Sequence, residues 1–272
     1  MTPREIAHRY GIHRDIIGGG WLKLEKGSVT DDTEMSLALG RVILKQGRVD
    51  AIAAAEAFDA WMRTKPKDIG HTVRRGILHF RNSGVAESPP NDMDAGNGSC
   101  MRTLPVALCM LGADRDAIVE ASRAQAHTTH NAKLADAGTE CVIDLVQIGI
   151  TGANRAQLLR RATELVRQYP EFRFDNAETE NPSGYIVDTL KAVFGSLFRT
   201  TRFESCLIDV VNRGGDADTT GAIAGMIAGA FYGYGDIPEV WRQAMDEAVM
   251  RQCLEQADAL VALSPLFLSG DI

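Results

Sequence analysis

Thr30-Asp31-Asp32-Thr33 near the start of the chain and Asp216-Ala217-Asp218-Thr219-Thr220 near its end are two short strings of nearly the same chemistry. Their four carboxylates and neighbouring hydroxyls are hard oxygen donors, and if the fold brings the strings together their charge demands a cation. A divalent-metal centre is the first expectation. Each string alone has a plainer explanation. Thr30 can cap a helix whose first-turn aspartates complement its dipole, and Asp216 or Asp218 can cap the helix that follows. One cap oxygen satisfies a helix start, however, and each string supplies two carboxylates plus hydroxyls. The repeated excess favours a metal.

Other readings of the second string fail by offset. An EF-hand loop opening at Asp216 would need a bidentate Glu where Ile227 stands. The D-x-D-x-T spelling resembles the nucleophile motif of haloacid dehalogenase-like phosphatases, but too little chain follows it for that family's sheet. Elsewhere, Gly96-Asn97-Gly98-Ser99 has two glycines at dinucleotide-fingerprint separation and no third, so that fingerprint is absent. The same residues, placed just before a helix at Met101, can form either a phosphate cradle or a simple turn and cap. His127-Thr128-Thr129-His130-Asn131 reads as a helix C-terminus with cationic or capping side chains ahead of metal ligation, or, more sharply, as a substrate contact. Asp68 is either the N-cap of the helix after Gly70 or a carboxylate aimed into a cleft.

The elements that must position these residues are helices. Thr30 precedes a stripe of Met35, Ala38, Leu39, Val42 and Ile43 that ends before Gly47. The spacing predicts further helices over Ala51–Met62, Thr72–Arg81, Cys100–Leu111, Arg115–Ala126, Ala132–Ile150 and Arg155–Gln168. Later ones cover Ile186–Phe198, Phe203–Val211, Thr219–Phe231, Glu239–Met245 and Val249–Leu263. Gly221, Gly225, Gly229 and Gly233 recur every four residues and predict close packing of a neighbouring helix. Two loops, Glu87–Ser99 and Phe172–Gly184, are rich in Pro, Gly and acids and are expected on the surface. An all-α fold follows.

With 272 residues, 45% hydrophobic and 24% charged, the chain can bury a large core and is expected to form one domain over 1–272. Its net charge of -7 argues against a sequence-independent grip on nucleic acid. The five cysteines form no C-x-x-C pair and are odd in number, so neither a zinc knuckle nor a disulfide framework is indicated. A reducing cytoplasm is the expected setting. The N-terminus lacks the apolar core of a signal peptide, and the apolar run from Gly221 to Tyr234 is too short to span a bilayer.

Thr30 to Thr33, Pro66 to Gly70, Gly96 to Arg102, His127 to Asn131 and Gly214 to Gly221, in that order, resemble the motifs of the ADP-ribosylglycohydrolases, over nearly the whole chain. Within that family the likeness is greatest to bacterial enzymes that remove ADP-ribose from an arginine of the nitrogenase iron protein, dinitrogenase reductase. The resemblance implies a compact, single-domain orthogonal helical bundle with two Mn(II) or Mg(II) ions at the floor of a cleft. It implies Thr30, Asp31, Asp32, Asp216, Asp218 and Thr219 as ligands, with Asp218 bridging. Asp68 is the implied general base, and Asp31 and Asp32 belong with it to the catalytic set. Gly96, Asn97, Gly98, Ser99 and Met101 would line the pyrophosphate and ribose path, and His130 and Tyr185 would border the remaining ADP-ribose. A PII-type signalling protein is a further implied partner. The family's glycine-rich first helix, with Gly-Asp-Ala-Leu-Gly, is expected upstream of this chain's first residue.

The implied reaction, cleavage of an N-glycosidic bond to a guanidinium, passes through an oxocarbenium-like state. Its site must fix the ribose, activate water and stabilise the leaving arginine. Two alternatives stand beside it: an ADP-ribose-binding module without turnover, and a hydrolase of another ADP-ribose linkage.

Overall fold

Apolar residues recurring every three to four positions fold into helices throughout the computed structural model, which describes residues 1–174 and 179–270. In chain order these are α1 (Pro3–Tyr10), α2 (Asp31–Gln46), α3 (Ala51–Arg63), α4 (His71–Ser83), α5 (Leu104–Cys109), α6 (Arg115–Ala126) and α7 (Lys133–Ile150). There follow α8 (Arg155–Gln168), α9 (Ile186–Arg199), α10 (Phe203–Val211), α11 (Ala217–Tyr232), α12 (Glu239–Ala244), α13 (Glu247–Ala262) and α14 (Pro265–Ser269). No strand occurs among the described residues, in keeping with the all-α expectation. No helix among them is long and apolar enough to cross a membrane.

The chain divides into two compact units, each built from two separated stretches. The first comprises Met1–Ser28 and Asp144–Glu247; the second comprises Val29–Ile143 and Ala248–Ile272. In the second unit α2 packs on α3 and α5, and α3 also packs on α4 and α6. Met35, Leu37, Ala38, Leu39 and Ile43 of α2 and Ala54, Phe58 and Trp61 of α3 are buried there. Complete burial of Phe58 alone stabilises the unit by roughly 1.5–3 kcal/mol. Asp50 and Asp114 cap α3 and α6, their carboxylates accepting from the Ala53 and Ala117 N–H groups at 3.0 and 2.8 Å.

In the first unit α11 packs on α9 and α10. A Cβ added at Gly221, Gly225 or Gly229 would lie 3.3, 3.9 or 3.8 Å from Val211, Leu207 or Phe203 of α10. The glycine stripe therefore faces one helix, as its spacing predicts. Gly233 is not part of that face but the C-cap of α11, at φ +84°.

The structure corrects the sequence at several ends. The stretch Cys100–Leu111 is helical only over α5; residues 98–102 form a turn, and Thr103 sits at the N-cap. Pro105 explains this, because proline is tolerated in a helix's first turn and breaks its interior. The helix predicted over Thr219–Phe231 begins at Ala217. Two short helices, α1 and α14, were not predicted, although Thr2 and Glu5 form a capping box at the start of α1. Each contributes few buried residues, so its apolar stripe is faint. The Glu87–Ser99 loop is not wholly superficial: Ala95, Asn97, Gly98 and Ser99 are buried. In the other loop Phe172 is buried, and residues 175–178 lie outside the described ones.

Candidate active site

The first acidic string opens α2, but not as a cap. Thr30 occupies the N-cap position with extended backbone and makes no side-chain cap hydrogen bond. Its hydroxyl instead donates to Asp32 Oδ2 at 2.8 Å. Asp31 and Asp32, adjacent in sequence, are 7% and 4% exposed. Two neighbouring carboxylates are thus held largely away from water, and the charge of Asp31 acts on the buried Arg102. Capping, the plainer explanation for this string, is therefore not what Thr30 does.

The second string behaves alike in its own unit. Asp216 stands at the N-cap of α11 without a side-chain cap hydrogen bond. The turn before it is locked by backbone contacts. Gly214 and Gly215 have φ of +72° and +64°, the Gly215 N–H donates to Met1 O at 2.9 Å, and the Asp216 N–H donates to Pro182 O at 2.9 Å. A Cβ on Gly215 would lie 2.1 Å from Pro182 O, so only glycine brings the chain through this turn. Asp216 is half-buried, Asp218 is exposed and Thr219 is buried.

Within either unit taken alone, no three His, Cys, Asp or Glu side chains among the described residues gather into a metal-binding group. Thr30, Asp31 and Asp32 lie in the second unit, and Asp216, Asp218 and Thr219 in the first. Each trio offers oxygen donors only, a chemistry that suits Mg(II) or Mn(II) better than a thiolate-seeking metal. Thr30 is turned to Asp32, and neither Thr30 nor Asp216 makes a side-chain cap hydrogen bond, so each trio by itself has the oxygen-donor chemistry that a divalent ion takes.

The glycine loop, the histidine turn and one buried arginine form a connected cluster in the second unit. Arg102 is fully buried. Its guanidinium donates to Gln125 Oε1 at 2.9 Å, Gln125 O at 3.0 Å, Thr128 Oγ1 at 3.2 Å and Thr129 Oγ1 at 2.8 Å. It also lies 4.2 Å from the centre of the Phe58 ring. Burial pushes its pKa down to about 9, and the charge of Asp31 draws it back up. Because a buried cation is costly unless its donors are satisfied, the four acceptors are what allow it to stay charged.

His130 is 2% exposed, and its Nδ1 is 2.8 Å from Thr129 Oγ1. Burial, and then the charge of Arg102, push its pKa down to about 3, so the ring is neutral. Its far edge faces the glycine loop: a Cβ on Gly98 would lie 2.7 Å from His130 Cε1 and 3.1 Å from Nε2. The loop is fastened to the turn by Ser88 N–H to His127 O at 2.8 Å, Ser88 Oγ to Thr128 O at 3.0 Å and Asn131 Nδ2 to Ser88 O at 2.8 Å. His127, by contrast, is the C-cap of α6, and its Nε2 lies 3.0 Å from Asp136 Oδ1, the helix C-terminal position read from sequence.

Several predicted contacts look different in place. No helix starts at Met101, and the N–H groups of Cys100 and Met101 donate to Asn97 O at 2.9 and 3.0 Å. A cradle of unpaired N–H groups at that helix start is thus ruled out for these two. Ser99 is fully buried: its Oγ lies 3.3 Å from Thr139 Oγ1, and its carbonyl accepts from Gln125 Nε2 at 3.1 Å. Gly96 is half-buried, and Asn97 and Met101 are buried. Asp68 is half-buried and is not an N-cap, because Gly70 holds that position for α4. Tyr185, at the N-cap of α9 in the first unit, is 39% exposed, and burial followed by the charges of Glu171 and Asp188 raises its phenol pKa. Sequence reading missed Arg102 as a working residue. The available signal was one charged side chain within the otherwise apolar run Cys100–Met110.

A sequence model of the family described as ADP-ribosylglycohydrolase matches residues 1–267. The chain is 46% identical over 266 residues to the ADP-ribosyl-[dinitrogen reductase] glycohydrolase of Rhodospirillum rubrum, covering 98% of this chain and 90% of that one. It is 30% identical over 255 residues to the ADP-ribosylarginine hydrolase Tri1 of Pseudomonas putida (strain GB-1), covering 89% and 67%. Among solved structures, an ADP-ribosylglycohydrolase-related protein complex superposes with a TM-score of 0.81 at 31% identity, over 94% of this chain and 88% of that one.

Proposed function

This chain belongs to the ADP-ribosylglycohydrolase family, and from that premise we propose that it hydrolyses the N-glycosidic bond between ADP-ribose and an arginine of a modified protein, dinitrogenase reductase. The observation that carries this reading is the likeness, along almost the full length of both chains, to the Rhodospirillum rubrum glycohydrolase. The Pseudomonas putida relative, whose name specifies ADP-ribosylarginine, supports the arginine linkage. Regulation by a PII-type signalling protein belongs to the same proposal and rests on the resemblance alone.

The proposed cofactor is a pair of Mn(II) or Mg(II) ions, with Thr30, Asp31, Asp32, Asp216, Asp218 and Thr219 as its ligands. When bound, such a pair supplies positive charge that fixes ribose hydroxyls and acidifies water. Asp68, half-buried and two residues before the N-cap Gly70, takes the proton of the attacking water. The 96–101 loop lies along the pyrophosphate and ribose, and the Ser99 hydroxyl, turned to Thr139, takes no part. His130 and Tyr185 border the rest of the ADP-ribose.

The test is release of free ADP-ribose from arginine-ADP-ribosylated dinitrogenase reductase, with Mn(II), and with Mn(II) plus chelator. Release only with metal is the expected result. Tight ADP-ribose binding without release would replace the hydrolase with a binding module, and release from serine-linked but not arginine-linked substrate would overturn the linkage.

A further inference from the structure

We infer that Arg102 is a positioning residue: acting through the Thr129 hydroxyl, it fixes the imidazole of His130 in the tautomer that carries its proton on Nε2, so that an N–H donor faces the glycine loop.

The chain of donors leaves one arrangement. A guanidinium only donates, so Thr129 Oγ1 accepts from Arg102 Nη2 across 2.8 Å. The hydroxyl keeps one proton to give. Its other partner in the structure is His130 Nδ1 at 2.8 Å. The neighbouring carbonyl, Gln125 O, receives instead the Thr128 hydroxyl at 2.7 Å and Arg102 Nη2 at 3.0 Å. Thr129 therefore donates to Nδ1, and a neutral ring that accepts at Nδ1 carries its proton at Nε2. Burial of His130 beside the Arg102 charge keeps the ring neutral.

Geometry then gives the donor a direction. Nε2 and Cε1 abut Gly98, at a separation that a Cβ there would close to 3.1 and 2.7 Å. The absence of a side chain at Gly98 lets the N–H edge of His130 lie directly against the loop backbone. A donor at that edge suits an oxygen acceptor, a phosphate oxygen or a sugar hydroxyl oxygen. The opposite tautomer would present a lone pair, which an anionic oxygen repels. The ligand class rests on the glycohydrolase reading, whereas the tautomer does not.

The experiment is a long-range proton–nitrogen correlation on the imidazoles of the full, metal-free chain, which reports directly which ring nitrogen of His130 is protonated. The expected spectrum shows protonated Nε2 and bare Nδ1 in the wild type and in Thr129→Ser. Thr129→Val should shift His130 to a mixture or to the other tautomer, and should weaken ADP-ribose binding about tenfold while the serine variant restores it. Arg102→Lys keeps a buried cation without the fork and should also give a mixture; if it does not fold, the Thr129 pair decides alone. A protonated Nδ1 in the wild type, an unchanged tautomer in Thr129→Val, or equal ADP-ribose affinity in the valine and serine variants would overturn the inference. A wild-type chain with the inferred tautomer that binds no ADP-ribose would sink the glycohydrolase reading and leave the relay standing.

Discussion

Thr30 Oγ1 donates to Asp32 Oδ2 across 2.8 Å and leaves the start of α2 uncapped. Under the proposed function the pair is a metal ligand rather than a helix end. Asp32→Asn retains an acceptor oxygen for Thr30 while removing one of two adjacent buried charges. The wild type should gain about 2.7 kcal/mol from Mn(II) at a hundred times its dissociation constant, and the variant should gain little. Thermal denaturation with and without Mn(II) measures both, and a variant stabilised by Mn(II) as strongly as the wild type would contradict the ligand assignment.

Asp68 follows the kinked chain after α3, where Lys65 has φ +60°, and precedes the true N-cap, Gly70. Because asparagine keeps the shape of the side chain, Asp68→Asn tests the charge alone. Asp68→Asn is expected to keep Mn(II) affinity and lose about 10²–10⁴-fold in kcat, the range for a positioned general base. Single-turnover release of ADP-ribose is the measurement. An unchanged rate removes Asp68 from the mechanism.

Gly98→Ala tests the packing of the loop against the histidine. The new Cβ would sit 2.7 Å from His130 Cε1 and 3.1 Å from Val73 Cγ2, so the imidazole or the loop must move. Overpacking of this kind costs about 1–3 kcal/mol. Both the denaturation midpoint and ADP-ribose affinity should fall together. Were affinity to fall with no change in midpoint, the glycine would be serving the ligand directly and not His130.

How far the sequence reached depends on whether the information is local. α6 and α8 begin and end where the sequence places them, because Asp114 and Asn154 supply their cap oxygens within three residues of the N–H groups they satisfy. The extent of α5 is hidden by an apolar stripe that continues past the point where Pro105 forces a new start. The site divides in the same way. The acidic strings announce themselves by composition, but the diversion of the Thr30 hydroxyl from capping depends on a rotamer that composition does not encode. Arg102 is quieter still, since its acceptors stand 23 to 27 residues away. Nothing in a run read by helical period indicates that one member carries a buried charge held by four oxygen acceptors.

The glycine stripe of α11 offers a test with the opposite sign. Gly225 faces Leu207 with room for a methyl group at 3.9 Å, an ordinary contact. Alanine there should recover helix propensity and raise stability by up to about 1 kcal/mol. Gly149 is the contrast, because its Cβ would meet Ala230 C and Phe231 N at 3.0 Å, backbone that cannot swing aside. Chemical denaturation of Gly225→Ala and Gly149→Ala should move the midpoint up and down respectively. A fall in both would mean that α10 approaches α11 more closely than the stripe allows.

Asp209 gives the first unit a dependence on acid. It accepts from Ser196 Oγ at 2.5 Å, Arg199 Nη2 at 2.6 Å, and Arg213 Nε and Nη2 at 3.1 and 3.0 Å. Burial alone would raise its pKa, yet Ser196, Arg213 and Arg199 together outweigh burial and hold the carboxyl below its usual range. A carboxyl depressed in the folded state contributes stability above its unfolded pKa, about 3.9, and loses that contribution as pH falls through the folded value. Asp209→Asn should therefore cost about 1–3 kcal/mol at pH 7, where it leaves two guanidiniums short of a charged acceptor. The gap between variant and wild type should narrow below about pH 3.9. Urea denaturation at pH 7 and pH 3 reads this directly, and a gap of the same size at both would show that shape, not charge, is what Asp209 contributes.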